Sequence, residues 1–315
     1  MSGRPVRTVF LGSGGFAVPV LAVVAERPDL ELAAVVTAPP RPVGRRQAIT
    51  PTPVGAWAAE RGLPIMSPSR LRDEASVAAL RELAPGLLVL ADYGQIVPKS
   101  VLDLPRHGAL NLHPSLLPRH RGAAPIQATI LAGDEQAGVT LMVMDAGLDS
   151  GPIVAQRAEP LTGRESAPEL ERRLAQLAAR LLDEALRPWL DGRLAARPQS
   201  TDGVTMTRPL RRDDGRLDPH RPVSELERQV RALQPWPGTF VETPAGRLAV
   251  RAAQLSDDAA SDRGELVGLV GLSGGRLGLA TTDGVLELLE VQPPGGRPMT
   301  GAELLRGRPG LLTVG

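Results

Sequence analysis

Through the first 192 residues of this 315-residue chain, short apolar runs alternate with stretches of helical period. That alternation restricts the fold more than any other feature of the sequence. VRTVFLG (6–12) reads as a strand running into a glycine-rich turn, with a helix from Phe16 to Ala25 behind it. Residues 30–38 give a second strand, Leu87–Leu90 a third, and Gly108–His113 and Val139–Met144 two more. Ala75–Leu83 is the clearest helix between them. This spacing predicts an α/β domain built on a doubly wound, Rossmann-like parallel sheet.

Ser166-Ala-Pro-Glu169 has the form of a capping box. Leu170, Leu174, Leu177, Leu181 and Leu182 then mark one face of a long helix that ends near Trp189-Leu-Asp-Gly192. Residues 193–210, rich in Pro, Ser and Thr, read as a linker. Ser224-Glu-Leu-Glu227 is a second capping box, opening a short helix to Leu233. Past Trp236, the runs Arg247–Ala252, Leu266–Val270, Leu277–Ala280 and Val285–Val291 are separated by Gly and Asp, the pattern of a small β-barrel. The expected organisation is a catalytic domain over 1–192, a linker over 193–210, and an OB-like C-terminal β-barrel over 211–315.

Composition removes whole classes of chemistry. The chain has no cysteine, which excludes disulfides, thiolate metal ligands and a Cys nucleophile, and its four His make a His-rich metal site unexpected. Lys99 is the only lysine, so Schiff-base chemistry has one position, beside Pro98. Aromatic residues make up 2% of the chain, leaving Leu, Val and Ala to fill the core. A formal charge of +1 gives no whole-chain case for nucleic acid, so any such surface is a local patch. The apolar run Thr8 to Leu11 is too short for a signal peptide, and no later stretch approaches membrane length. A soluble, cytoplasmic protein is expected.

Asn111 and His113 lie two apart at the end of a strand-like run, and Pro114 stops it. Residues two apart on a strand share a face. An amide and an imidazole would thus stand side by side at a strand's carboxyl end, where open α/β sheets bind ligands. The pair can hold a developing oxyanion, and the imidazole can also move a proton, which suits acyl-type transfer through a tetrahedral intermediate. Asp149, in a glycine-bounded turn after the Val139–Met144 strand, could orient His113 and stabilise its protonated form. Asp145 is the rival carboxylate, and Asp149 could instead form only an Asx turn.

Gly12-Ser-Gly14-Gly15-Phe16-Ala17 matches the G-x-G-x-x-A dinucleotide fingerprint, which keeps a nicotinamide-dependent oxidoreductase as an alternative. That fingerprint also wants an acid at the end of the second strand, and Val36-Thr37-Ala38-Pro39 stands there instead. Glu31 lies at the strand's start, on the wrong edge. The glycines then read as a close-packed strand–helix turn.

With these residues in view, the chain resembles the folate-dependent formyltransferases over essentially its whole length. Asn111-Leu-His113-Pro-Ser115-Leu-Leu-Pro118, Arg121-Gly-Ala-Ala-Pro-Ile-Gln127 and the Leu148-Asp149-Ser-Gly151 turn carry the likeness. Thr37-Ala-Pro-Pro-Arg-Pro-Val-Gly-Arg45 is similar to a loop that members acting on initiator methionyl-tRNA use on that substrate. Leu233-Gln-Pro-Trp-Pro-Gly238 is similar to the motif opening the C-terminal barrel of those members. The resemblance implies that Asn111, His113 and Asp149 are catalytic. It implies that Ser115, Leu116, Leu117 and Pro118 contact 10-formyltetrahydrofolate, and that the loop holding Tyr93, Gly94, Gln95 and Ile96 encloses the pteridine with backbone groups. It further implies formyl transfer from that folate to the α-amine of methionyl-tRNA, with Arg41, Arg45 and Arg46 on the tRNA. Neither a metal nor a covalent enzyme intermediate is needed, and a monomer is expected.

Three positions depart from the family pattern. Asp92 stands where a small residue is commoner, Arg46 is followed by uncharged Gln47, Ala48 and Ile49, and Pro219 replaces a commoner aromatic. The charge layout is locally favourable to a polyanion. No acid occurs from Leu32 to Ala59 or from Leu104 to Gly133, and these spans hold Arg41, Arg45, Arg46, Arg106, Arg119 and Arg121. From Arg208 onward, 14 Arg face 14 acids, although Arg208 to Arg231 has seven Arg against five acids. Trp236 reads as a packing wedge rather than a base-stacking platform. A formyltransferase for an amino sugar nucleotide or for glycinamide ribonucleotide is the nearest alternative, and it would not need the Arg41–Arg46 loop.

Overall fold

A computed structural model describes residues 4–43, 47–258, 267–307, 310 and 312. The chain begins with β1 (Val6–Gly12), α1 (Ala17–Glu26), β2 (Leu30–Val36), β3 (Arg41–Val43), β4 (Ala48–Thr50), α2 (Pro53–Glu60), β5 (Ile65–Met66), α3 (Glu74–Glu82) and β6 (Leu87–Ala91). It continues through α4 (Lys99–Leu102), β7 (Ala109–His113), β8 (Arg121–Gly122), α5 (Pro125–Ala132), β9 (Gln136–Val143), β10 (Ile153–Pro160), α6 (Ala167–Leu190) and β11 (Met206–Thr207). Then come α7 (Val223–Ala232), β12 (Thr239–Thr243), β13 (Gly246–Leu255), β14 (Gly268–Gly271), β15 (Leu277–Ala280), β16 (Val285–Gln292), β17 (Met299–Thr300) and α8 (Gly301–Gly307).

Two compact units form. The first gathers Met1–Pro125, Gln136–Pro160 and Leu170–Arg208, and the second Ile126–Glu135, Leu161–Glu169 and Pro209–Gly315. The second unit therefore includes two short segments from within the first 192 residues. Two arginines of α7 hold them: Arg228 Nε donates to Leu131 O at 3.2 Å, and Arg231 Nη1 to Glu165 O at 2.8 Å.

The first unit is organised by a seven-stranded sheet of order β10-β9-β7-β6-β1-β2-β5. β6, Leu-Leu-Val-Leu-Ala, is buried at every position, as expected of a parallel strand covered on both faces. β1 pairs in parallel with β2 on one side and β6 on the other, so the strand order reverses there. In open α/β sheets, the place beyond the carboxyl ends of strands at such a reversal, here β1 and β6, is the usual ligand position. β7 extends the parallel set, but β9 runs antiparallel to β7, and β10 antiparallel to β9. The sheet is thus mostly, not wholly, parallel, and the loop after β9 leaves beside the amino half of β7, where Met144 N–H donates to Ala109 O at 2.8 Å. On α6 the five leucines of the apolar stripe are all buried, and Ser166 is bonded to Glu169 through its amide and hydroxyl at 2.9 and 2.7 Å.

In the second unit, β12-β13-β16-β15-β14 form an antiparallel sheet with β17 added on β16. Register breaks in β13 around Ala252 bend that ten-residue strand, and the sheet curls into a half-barrel. Leu226, Val230, Leu248, Val250, Leu277, Leu279, Leu286 and Leu288 fill its core. The expected Ser224–Glu227 capping box is not what opens α7. The helix starts at Val223, whose N–H is capped at 2.8 Å by Asp283 Oδ1, sixty positions away, and Glu227 pairs with Arg231 instead. Trp236 is 54% exposed, with the Arg212 guanidinium 5.9 Å from its ring.

Candidate active site

β7 alternates Leu110 and Leu112 with Asn111 and His113, and the leucines take the apolar face. The Asn111 side chain makes no hydrogen bond to a described residue, so its amide is available to a ligand. His113 is buried, and its Nε2 lies 3.0 Å from the carbonyl oxygen of His120. A carbonyl only accepts, so Nε2 carries a proton, and in the neutral ring Nδ1 holds the lone pair. The turn from Ser115 to His120 that delivers this carbonyl is tied down by neighbouring strands. Thr140 Oγ1 donates to Ser115 O (2.7 Å) and accepts from Leu117 N–H (3.1 Å) and Gln156 Nε2 (2.9 Å). His120 itself has a left-handed φ of 57°, and its N–H donates to Thr205 Oγ1 at 2.8 Å.

Of the two candidate carboxylates, Asp149 faces His113, its Oδ2 3.7 Å from Nδ1. That separation is too long for a hydrogen bond, so the two act on each other through charge. Gly122 N–H holds the same Oδ2 at 2.8 Å. Asp145 takes the Asx role, accepting from Gly147 N–H at 2.9 Å and from the Ser150 hydroxyl at 3.1 Å. The loop returns tightly because Gly151 lies where a Cβ would collide with Val143 O. Burial pushes the His113 pKa below its ordinary value, while the Asp149 charge and the His120 carbonyl oppose that shift. The imidazole is therefore neutral at neutral pH, with its lone pair beside a carboxylate ready to stabilise a proton placed there.

The other expected ligand contacts divide by side chain. Ser115 donates to Arg119 O at 2.6 Å, and Leu117 is buried against Met142 and Ile153. Tyr93 lies in the core, its pKa pushed up to about 12 by burial, and Gln95 bonds Leu71 N–H and Pro68 O. These four side chains serve the protein itself. The backbones of Ser115 and Leu117 are bonded within the protein as well: Ser115 N–H donates to His113 O at 2.9 Å, Gln156 Nε2 donates to Leu117 O at 2.9 Å, and Thr140 holds Ser115 O and Leu117 N–H. Leu116 and Pro118 are half-buried, Gly94 has a φ of 76°, and Ile96 is 83% exposed. Arg41 is exposed on β3, while Arg45 and Arg46 lie outside the described residues.

The glycine turn does not fit a dinucleotide. Ser13 and Gly14 N–H groups both donate to Asp92 O, at 2.9 and 3.3 Å, so these amides are not open to a pyrophosphate. Glu31 pairs with Arg7. Asp92 has a φ of 45°, and its carboxylate fills the space beside Gly14. Desolvation and the nearby Glu171 raise its pKa to about 6.

Sequence reading missed Gln199 and Thr205. The stretch 193–210, expected as a linker, folds along the first unit up to Arg208, and β11 pairs with β8. Its polar side chains carry no periodic signal that separates a solvated linker from one bonded to a distant loop. Among the described residues, no group of three or more His, Cys, Asp or Glu could hold a metal, and no helix is long and apolar enough to cross a membrane.

Residues 6–186 match the family described as Formyl transferase, and 209–309 its C-terminal domain. The fold and site thus define a formyltransferase. A curated relative from Halorhodospira halophila, described as methionyl-tRNA formyltransferase, is 47% identical over 96% of both chains. The chain belongs to the methionyl-tRNA formyltransferase family. An N-formyltransferase from Helicobacter canadensis, solved with folinic acid and dTDP-3-aminofucose, shares the fold at a TM-score of 0.68 and 14% identity, over 90% of this chain and 98% of that one. HypX from Aquifex aeolicus, solved with tetrahydrofolic acid, matches 95% of this chain at a TM-score of 0.62 and 16% identity, and this chain spans 47% of its length.

Proposed function

We propose that this chain transfers the formyl group of 10-formyltetrahydrofolate to the α-amino group of initiator methionyl-tRNA, giving formylmethionyl-tRNA and tetrahydrofolate. The observation that carries the chemistry is the placement of the His113 ring, with Nε2–H committed to His120 O and Nδ1 facing the Asp149 carboxylate. The neutral amine attacks the formyl carbon, forming a C–N bond and placing negative charge on the formyl oxygen. The Asn111 amide N–H holds that oxyanion. His113 takes the proton from the attacking nitrogen at Nδ1, and Asp149 stabilises the imidazolium so formed. The same proton passes to the folate nitrogen as its bond to carbon breaks, which closes the balance without a covalent enzyme intermediate. For the tRNA, support comes from the relatives, from exposed Arg41, and from the acid-free span that contains it.

The deciding assay is transfer of labelled formyl from 10-formyltetrahydrofolate to charged initiator tRNA, run beside an amino sugar nucleotide and glycinamide ribonucleotide. Formylation of the tRNA alone is expected, and preference for either small amine would refute the reading. His113→Ala and Asn111→Ala are each expected to lower kcat by roughly 10²–10⁴, the usual range for an acid–base group or oxyanion donor.

A further inference from the structure

Within residues 193–208, Arg197 and Gln199 meet the segment that carries Asp149, and Met206–Thr207 pair with β8. Ile153 and Arg197 exchange backbone hydrogen bonds at 2.8 and 2.9 Å, and two residues further on stands Gln199. Its Nε2 donates to Asp149 O and to Gly151 O, both at 2.8 Å. Its Oε1 accepts from Arg121 Nε at 3.0 Å and Nη2 at 2.7 Å. Both amide hydrogens and both acceptor positions are thereby in use. We propose that Gln199, held by Arg121, is a positioning residue that keeps the Asp149 carboxylate facing His113. The proposal rests on the reading of Asn111, His113 and Asp149 as the catalytic trio.

Asp149 needs such support. Its φ of 48° is left-handed, a conformation that a non-glycine residue keeps only when its surroundings fix it. Gly122 N–H anchors the carboxylate at one oxygen, but that bond alone does not fix the backbone beneath it. Gln199 grips the carbonyls of Asp149 and Gly151, on either side of Ser150. Because Arg121 and Gly122 are neighbours on β8, one short strand holds Asp149 by its carboxylate directly and by its backbone through Gln199. The interaction with His113 acts through charge across 3.7 Å, so any retreat of the loop weakens the support for the imidazolium. Gln199 bonds neither His113 nor Asn111; its direct bonds are to Asp149, to Gly151 and to Arg121, and the Gln199→Glu variant, which keeps Arg121, separates the Asp149 side from the Arg121 side.

The test compares Gln199→Leu, Gln199→Glu and Asp149→Asn in the full chain. Gln199→Glu keeps the contact to Arg121, now as an ion pair, but turns oxygen instead of N–H towards the two carbonyls. Both Gln199 variants are expected to lower kcat by about 10- to 100-fold, the scale of a misplaced catalytic group, with both KM values unchanged. The His113 imidazole, followed by NMR and assigned with a His113→Gln variant, is expected to titrate lower in Gln199→Leu, because a receding carboxylate raises its pKa less. A folded Gln199 variant with full kcat, or Gln199→Leu with reduced kcat and an unmoved His113 titration, overturns the proposal. If Asp149→Asn is slow while the Gln199 variants are not, only the brace fails. If Asp149→Asn also retains full kcat, the catalytic reading fails and the brace with it.

Discussion

At the residue scale, two titrating groups respond to burial in opposite directions of charge. His113 is held neutral below its ordinary 6.5, because burial outweighs the Asp149 charge and the His120 carbonyl. Between its folded pKa and 6.5 the unfolded chain binds a proton that the folded chain does not, so stability falls as pH drops through that window. By NMR, the His113 midpoint is expected below 6.5, and Asp149→Asn should lower it further; a midpoint at or above 6.5 refutes this. Asp92 is the reverse case, raised from 3.8 to about 6 by desolvation first and Glu171 second. Here the folded chain holds a proton that the unfolded chain has released, so stability falls as pH rises from 3.8 to about 6 and stays reduced above it. Asp92→Asn is expected to melt above the wild type once pH exceeds 6 and with it near pH 3.8. Thermal melts at the two pH values check this, and a gain that does not depend on pH would sink it.

At the element scale, the hairpin joining β9 to β10 sets where Asp149 stands. A Cβ at Gly151 meets the backbone oxygen of Val143, whereas one at Gly147 meets the hydroxyl of Ser150, which can rotate away. Gly151→Ala must therefore move the loop off β9, and a shift of about 1 Å is expected to cost on the order of 10²-fold in kcat. Gly147→Ala should lose much less, and equal losses in the two variants would show that the contact with β9 does not set the geometry. Much of this was legible in the sequence. Asn111 and His113 interrupt an apolar strand at spacing two, and the leucines of α6 follow helical period, because burial on one face leaves a repeating trace. Strand direction leaves none. Val139–Met144 reads the same whether it runs with β7 or against it, and β10, with Gln156, Arg157 and Glu159 on an edge, has too polar a pattern to stand out. The choice between Asp145 and Asp149, the Asp283 cap on α7, and the Gln199 bonds to Asp149 and Gly151 all depend on contacts remote in sequence. Composition and periodicity do not record such contacts.

At the scale of the whole molecule, a net charge of +1 means that a polyanion is met by local patches. In the second unit, two of the arginines from Arg208 to Arg231 are tied in ion pairs four residues apart, Arg221 with Glu225 and Arg231 with Glu227. The acid-free span from Leu32 to Ala59 has no such internal partners to offer, and its three arginines fall within six positions. Arg41 is exposed on its hairpin. If these arginines neutralise tRNA phosphates, each contact releases counterions, and binding weakens with salt by a slope of about 0.7 to 0.9 per phosphate. The KM for methionyl-tRNA is then expected to rise steeply with salt, while that for the folate substrate barely moves. Replacing Arg41, Arg45 and Arg46 together by Ala should flatten the tRNA slope by roughly 2 to 3, the sum of three lost contacts, and leave kcat at saturating tRNA unchanged. Steady-state kinetics across a salt series measure both quantities. A slope unaltered by the triple substitution would move tRNA recognition away from this loop, and a reduced kcat would mean that the loop also orders the reacting end of the tRNA.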